Sequence, residues 1–244
     1  MILALDVGNS RVKWAWGGTE PSPDNASPWT FATLAAILER VSASAPAPEK
    51  IFAVNVAGPQ VEQRVREWAS QRHATAALHF VRTQASGYGL RNIYPELGAD
   101  RFVALAAARH QTRDPLCVID CGTALTMSVL NAAGEWTAGA ILPGLGLMRR
   151  ALAQSTHALA VTVVDDGEIW APRTEEAIAA GTRHAVLGGI EAVWRRCQDR
   201  LGGALRCWLT GGEARLLLPH LTTPVMHDPY LILKGLLWIA DSQM

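Results

Sequence analysis

Two short stretches place an acid at the end of an apolar run and follow it at once with glycine and small polar residues. The first is "DVGNSRVK", Asp6 to Lys13, and the second is "DCGTALT", Asp120 to Thr126. A carboxylate is costly inside a strand core, so each Asp lies at an exposed strand end or has a partner. Glycine lets a ligand approach the backbone closely, and successive amides in a tight turn form a concavity that attracts anions. Lys13 adds positive charge. One such turn is ordinary hairpin chemistry; two in matching places point to phosphate binding. A third glycine cluster, Gly211-Gly212 between "CWLT" and "EARLLL", is a strand-to-helix turn where a nucleotide base or sugar can lie against backbone. Asp100 opens the stretch "DRFVALAAARH", where a helix dipole favours a carboxylate for stability or for chemistry. Its neighbour Arg101 suits either a substrate carboxylate or a surface ion pair. Thr174, followed by Glu175 and Glu176, has the composition of a helix N-cap.

Those residues need a frame. "MILALDVGN" is continuously apolar, as a strand covered on both faces is, and "RVKWAW" alternates with Val12, Trp14 and Trp16 on one face. Together they predict a hairpin around the first turn. Residues 17–28 read as a loop on their Pro, Gly, Asn and Ser content. A helix at "TLAAILERV", a strand at "IFAVNV", a helix led by Pro59, a strand at "ALHFV" and the helix containing Asp100 follow. Then the pattern starts again. "PLCVIDCGTALTMSVL" repeats strand, Asp-x-Gly turn and strand, and "EWTAGAILPG" supplies a third strand. Helices at "GLMRRALAQ" and from Thr174, a strand at "RCWLTGG", a helix at "EARLLLPHL", a short strand at "PVMH" and a C-terminal helix complete the chain. An internal repeat on this scale implies two similar α/β domains, residues 1–112 and 113–244. Asp6 and Asp120 are then expected to face a cleft between the domains, where ligands of such sheets bind. On the Thr174 helix, Ala177, Gly181, Ala185, Gly188 and Ala192 form a small-residue stripe. It permits close packing inside the subunit or across a dimer.

Composition limits the partners. Twenty-two Lys and Arg balance 22 Asp and Glu, which leaves no electrostatic footprint for nucleic acid or an anionic membrane. A small-molecule ligand is expected. With 49% hydrophobic and 18% charged residues, the 244-residue chain has ample material for a core. The C-terminal "LILKGLLWIA" is interrupted by Lys234 and too short to span a bilayer, and no secretory signal is visible, so the expected location is cytoplasmic. Cys117, Cys121, Cys197 and Cys207 have no zinc-ligand spacing and read as reduced core thiols. Trp14, Trp68, Trp194 and Trp238 read as core residues, and the isolated His110, His157 and His227 receive no catalytic role.

The ordered set "DVGNSRVK", "GLRNIY", "GADR", "DCGTALT", "AGAILPGLGLMRRAL", "TEEAIAAG" and "LTGG" resembles the type III pantothenate kinases of the acetate/sugar kinase–Hsp70–actin superfamily. The resemblance implies two ribonuclease-H-like, actin-like domains with a nucleotide cleft, and ATP-dependent phosphorylation of pantothenate on the way to coenzyme A. It makes Asp6, Val7, Gly8, Asn9, Ser10, Arg11, Val12 and Lys13 the first phosphate loop, with Asp6 oriented toward Mg²⁺ through water. Thr123 would bind ATP, as would the Gly211-Gly212 turn, and Asp120 would hold a monovalent cation, K⁺ or NH₄⁺. Tyr94, Gly98, Ala99, Asp100, Arg101 and Thr174 would contact pantothenate, with Asp100 accepting the hydroxyl proton. A homodimer is implied as well. The chain departs from the family pattern at Ser128, where many relatives carry a second acid, at Ala138, and in a short Tyr94–Gly98 spacing. Two other classes stay open: a kinase for a different small hydroxylated substrate, and a nucleotide-binding regulatory or accessory protein. The intact Asp6, Asp100, Asp120 and Thr123 weigh against the latter.

Overall fold

The computed structural model of the chain describes residues 1–44, 47–155, 169–170, 173–202 and 205–243; His157 lies outside them. The chain forms two compact units, Met1–Gln111 with Tyr230–Met244, and Thr112–Pro229. In the first, strands β1 (Ile2–Val7), β2 (Arg11–Trp16), β3 (Ala26–Pro28), β4 (Lys50–Asn55) and β5 (Ala77–Phe80) make one sheet in the order β3-β2-β1-β4-β5. β1 runs antiparallel to β2 and parallel to β4. The segment 17–28, expected to be a loop, closes with β3, whose three residues pair with Arg11–Lys13 along the sheet edge. Pro28 is tolerated there because an edge strand has no second neighbour to bond.

Side-chain alternation sorts the two faces of this sheet. Leu3, Leu5, Val7, Val12, Trp14 and Trp16 join one core cluster with Leu34, Ile37, Leu38 and Val41 of α1 (Leu34–Ala43) and Val61, Val65 and Trp68 of α2 (Pro59–Arg72). The alternate residues Ala4, Asp6, Lys13 and Ala15 therefore lie on the other face. Helix α3 (Ala99–Gln111) packs against β4.

The second unit repeats the plan. Strands β6 (Leu116–Cys121), β7 (Ala124–Leu130), β8 (Trp136–Pro143), β9 (Arg206–Thr210) and β10 (Met226–His227) are ordered β10-β9-β6-β7-β8. Read from the third strand of each repeat inward, the two sheets have the same topology, with an antiparallel hairpin first and parallel strands after it. Helices α4 (Leu145–Ser155), α5 (Thr174–Leu201) and the short α6 (Ala214–Leu217) accompany it. Leu145, Val186, Leu187, Ile190, Ala214 and Leu217 cover the face bearing Cys117, Ile119, Cys121, Leu125, Met127 and Val129. All four cysteines are buried and free.

The C-terminal helix α7 (Leu231–Asp241) corrects the boundary expected at residues 113–244. It belongs to the first unit, packed on α3, β1 and β4. Leu231, Ile232, Leu233, Leu236 and Ile239 are buried there, each worth about 1.5–3 kcal/mol of apolar transfer. Gly235 permits the contact: a Cβ at that position would lie 2.9 Å from the Val103 carbonyl oxygen on α3. Trp14 and Trp68 are buried as expected, while Trp238 is half-buried, edge-on to Tyr88 and close to the His110 ring. No helix among the described residues is long and apolar enough to cross a membrane.

Candidate active site

The first unit assembles a charged cluster from the β1–β2 hairpin and a helix nearly a hundred residues further along the chain. Asp6, next to last in β1, stands opposite Lys13 on β2, and the Lys13 ammonium lies 3.7 Å from its carboxylate. That is the partner its burial requires. Asp100 stands in the first turn of α3, which the fold places on the same side of the sheet. Each carboxylate feels the cluster. Burial pushes the Asp6 carboxyl above its ordinary range; Lys13 opposes that shift, and the charge of Asp100 adds to it. Asp100 is likewise raised by burial, against the pull of the Arg101 amide, the Arg101 charge and Lys13. Two acids that repel one another beside a single ammonium form a site poised for a cation or for proton transfer.

Around Asp100 the geometry is tight. The Arg101 N–H donates to Asp100 Oδ1 at 2.7 Å, turning the carboxylate back over the start of α3. Gly98 makes room for it, because a Cβ there would sit 2.6 Å from the same oxygen. Arg101 is buried, which excludes the surface ion pair, and its guanidinium donates to the Tyr94 hydroxyl at 3.2 Å. Ala99 is half-buried beside them. Tyr94, Gly98, Ala99, Asp100 and Arg101 are therefore one constellation, the short spacing notwithstanding.

The first turn is closed by Gly8 N–H donating to Arg11 O at 3.0 Å, and Trp29 Nε1 donates to Gly8 O at 2.9 Å. Asn9, Ser10 and Arg11 are exposed at its tip. Val7 and Val12 are fully buried in the core, so only their backbone is available to a ligand. Asn9 also lines a cavity of about 420 Å³ with Trp29, Phe31 and residues 57–61.

In the second unit the turn is one residue shorter, and Asp120 pairs across the hairpin with Thr126 instead of a lysine. Gly122 N–H closes this turn on Ala124 O at 3.2 Å. Gly211, at φ +97°, lies so close that a Cβ would meet Asp120 Oδ1 and the Cys121 backbone at 2.5 Å. Gly212 follows, exposed. Ser128 is buried, in register with Val118 and on the Asp120 face of the sheet. Thr123 O accepts from Gly144 N–H at 3.0 Å.

Sequence reasoning passed over Glu213. Its carboxylate accepts the first amides of α4, Leu145 N–H at 2.9 Å and Gly146 N–H at 3.0 Å, while its own N–H donates to Cys121 O at 2.9 Å. The signal, a Glu directly after a glycine pair, does not reveal those partners. Thr174 is not the N-cap its neighbours suggested. It is the first residue of α5, exposed, and the capping position is Arg173, which makes no side-chain capping bond.

The model of the type III pantothenate kinase family matches residues 2–196. A type III pantothenate kinase from Nitrosococcus oceani is 34% identical over 252 residues, covering 99% of this chain and 94% of its own length. The chain belongs to the type III pantothenate kinase family. Among solved structures, a Baf family protein from Campylobacter jejuni has a TM-score of 0.63 at 20% identity, covering 99% of this chain and all of its own. An archaeal actin homologue has a TM-score of 0.51 at 12% identity, covering 100% of this chain and 99% of its own. At those identities the two speak to fold alone, and the fold is the actin-like α/β type. Of the residues described above, Asp6, Lys13 and Asp100 form the cluster with the most chemical content.

Proposed function

We propose that the chain transfers the γ-phosphoryl group of ATP to the primary hydroxyl of pantothenate, the first step toward coenzyme A. The observation that carries this is the convergence of Asp6, Lys13 and Asp100 within one unit. Phosphoryl transfer needs charge neutralisation, positioning and one group that orients the attacking hydroxyl. Asp100 is that group: anchored by the Arg101 amide, its carboxylate accepts the hydroxyl's hydrogen bond and then the proton as the new O–P bond forms. Lys13 offsets the charge gathered there. Arg101, steadied by Tyr94, matches the carboxylate of pantothenate. Gly98, Ala99 and Thr174 complete the substrate contacts. The amides of Gly8, Asn9 and Ser10, together with Thr123 and the Gly211-Gly212 turn, take the nucleotide.

The donor set fits Mg²⁺ at Asp6. A carboxylate offers hard oxygen, and no group of three or more His, Cys, Asp or Glu side chains gathers to cage a metal among the described residues. That suits an ion that keeps water and phosphate ligands. Bound with ATP, Mg²⁺ neutralises phosphate charge. A monovalent cation, K⁺ or NH₄⁺, fits the carboxylate of Asp120 near the end of β6, in register with Thr126; burial first, and then the charges of Asp120 and Glu213, push the Cys121 thiol up. The protein is assigned to the cytoplasm as a homodimer, with no nucleic-acid or membrane partner.

ADP release tests this, measured with and without pantothenate, in K⁺ buffer and in buffer free of K⁺ and NH₄⁺. Release is expected to require pantothenate and the monovalent cation. In Asp100→Asn it is expected to fall by about a hundredfold or more, as loss of a general base does. Pantothenate-independent release sinks the proposal. So does an Asp100→Asn protein that binds ATP normally and turns over within about threefold of wild type.

A further inference from the structure

We infer that Glu213 is the positioning residue of the second phosphate loop, setting nucleotide affinity without contacting the nucleotide; the inference rests on the nucleotide role proposed for Thr123 and Gly211-Gly212. Three segments of the second unit cross at this one side chain. The first is the end of β6 and its turn, tied through Cys121 O to the Glu213 N–H at 2.9 Å. The second is the start of α4, whose Leu145 and Gly146 amides the carboxylate accepts at 2.9 and 3.0 Å. The third is the Gly211-Gly212 turn, immediately before Glu213 in the chain.

The chemistry of the carboxylate explains the choice. The first amides of a helix have no intrahelical acceptor, and the positive end of the dipole favours an anion there. A two-oxygen acid accepts two of those amides at once, and charge-assisted bonds of this kind are the strong ones. Since Glu213 fills the start of α4, phosphate is left to the turn at Gly122-Thr123 rather than to the helix end.

Gly144 carries the constraint from Glu213 to that turn. Its N–H donates to Thr123 O at 3.0 Å. A Cβ on it would stand 2.3 Å from Gly122 O, 2.8 Å from Thr123 O and 3.0 Å from Glu213 Oε2. With backbone packed this closely, α4 cannot shift at its start without moving Thr123. Releasing the carboxylate frees α4, and the Thr123 turn loosens with it.

The test compares wild type, Glu213→Gln and Glu213→Ala by KM for Mg-ATP, KM for pantothenate, kcat, and ADP affinity by calorimetry. Glutamine keeps one acceptor oxygen of two, so a graded series is expected. The ATP KM and ADP Kd should rise about tenfold or more in Glu213→Ala and about threefold in Glu213→Gln, as loss of charge-assisted bonds implies. Pantothenate KM and kcat should stay within about threefold of wild type. A merely structural role would lower melting temperature and active fraction while leaving both KM values in place. ATP KM and ADP Kd within about twofold of wild type in the variants overturn the inference, as does a pantothenate KM that rises as far as the ATP KM. Should Glu213→Ala fail to fold, Glu213→Gln decides alone. A wild-type protein that binds ADP yet never phosphorylates pantothenate defeats the kinase proposal, and the ADP affinities still decide Glu213.

Discussion

At the residue scale, Asp100 shows how the site opposes the fold. Burial raises its carboxyl above the ordinary value, and the Arg101 amide, the Arg101 charge and Lys13 only partly offset that. An acid whose folded pKa is raised binds its proton more tightly in the native state than in the unfolded chain. Stability therefore falls as pH climbs from the unfolded value toward the folded one, and the cost is fully present above it. Asp100→Asn removes that cost while keeping a side chain suited to a helix start. In protein free of nucleotide and metal, the variant should melt at or above wild type at pH 7, and its advantage should vanish near pH 4. Melting curves across that range check it; a variant clearly less stable at neutral pH would contradict the account. The acid limb of kcat/KM should correspondingly lie above the range of a free carboxylate. Asp100 was ambiguous in sequence for the reason it is interesting in structure. A helix-start acid and a proton acceptor have the same composition; the place beside Asp6 and Lys13 is what favours the proposed second role. The hairpin that carries Asp6 and Lys13 was legible, but not that Lys13 is the partner of Asp6, which depends on the length of the turn between them.

At the scale of elements, the two Asp-x-Gly turns look alike in sequence and differ by one residue in length. Between Val7 and Val12 the chain has four residues, and between Cys121 and Leu125 it has three. That slip alone puts Lys13 across from Asp6 and Thr126 across from Asp120. The alternation of β2 and β7 was readable, since each has one face in a core cluster, while β1 read as a continuous apolar run and is buried from Leu3 to Val7. The short edge strand β3 was not, because three residues at a sheet edge carry no period. Glu213 was out of reach for a different reason: its amide partners lie 68 and 67 residues back along the chain. Gly144 tests the second turn as an element. A Cβ would meet two backbone oxygens, at 2.3 and 2.8 Å, and backbone cannot rotate away as a side chain can. Gly144→Ala should therefore displace the turn and cost about tenfold or more in ATP affinity, on top of roughly 1–3 kcal/mol of overpacking. Calorimetric ATP binding beside a melting curve measures both, and normal affinity would mean that α4 yields more easily than its packing implies.

At the scale of the whole molecule, the internal repeat was visible because both halves open on the same strand, turn and strand. The return of α7 to the first unit was hidden: it depends on Gly235 meeting Val103 at a distance that no local pattern encodes. The small-residue stripe of α5 had two possible uses, and among the described residues nothing packs on its glycines. Ala177, Gly181, Ala185, Gly188 and Ala192 are all exposed, and Cβ atoms built on Gly181 and Gly188 meet nothing within 4 Å among the described residues. The stripe packs against nothing described within the chain, which is the condition a dimer-forming face must meet. Gly188→Leu separates assembly from folding. Among the described residues the leucine finds open space, and replacing an exposed mid-helix glycine should stabilise the helix by about 0.5–1 kcal/mol. Across a close helix–helix contact the same side chain overpacks, at about 1–3 kcal/mol, which weakens dimerisation by roughly five- to 150-fold. Light scattering and sedimentation over a dilution series should therefore show wild type as a dimer and the variant shifted toward monomer. Its melting temperature at high dilution should be unchanged or raised. A wild type that is monomeric and fully active at micromolar concentration would end the homodimer proposal. A variant that dimerises as well as wild type would move the interface off α5.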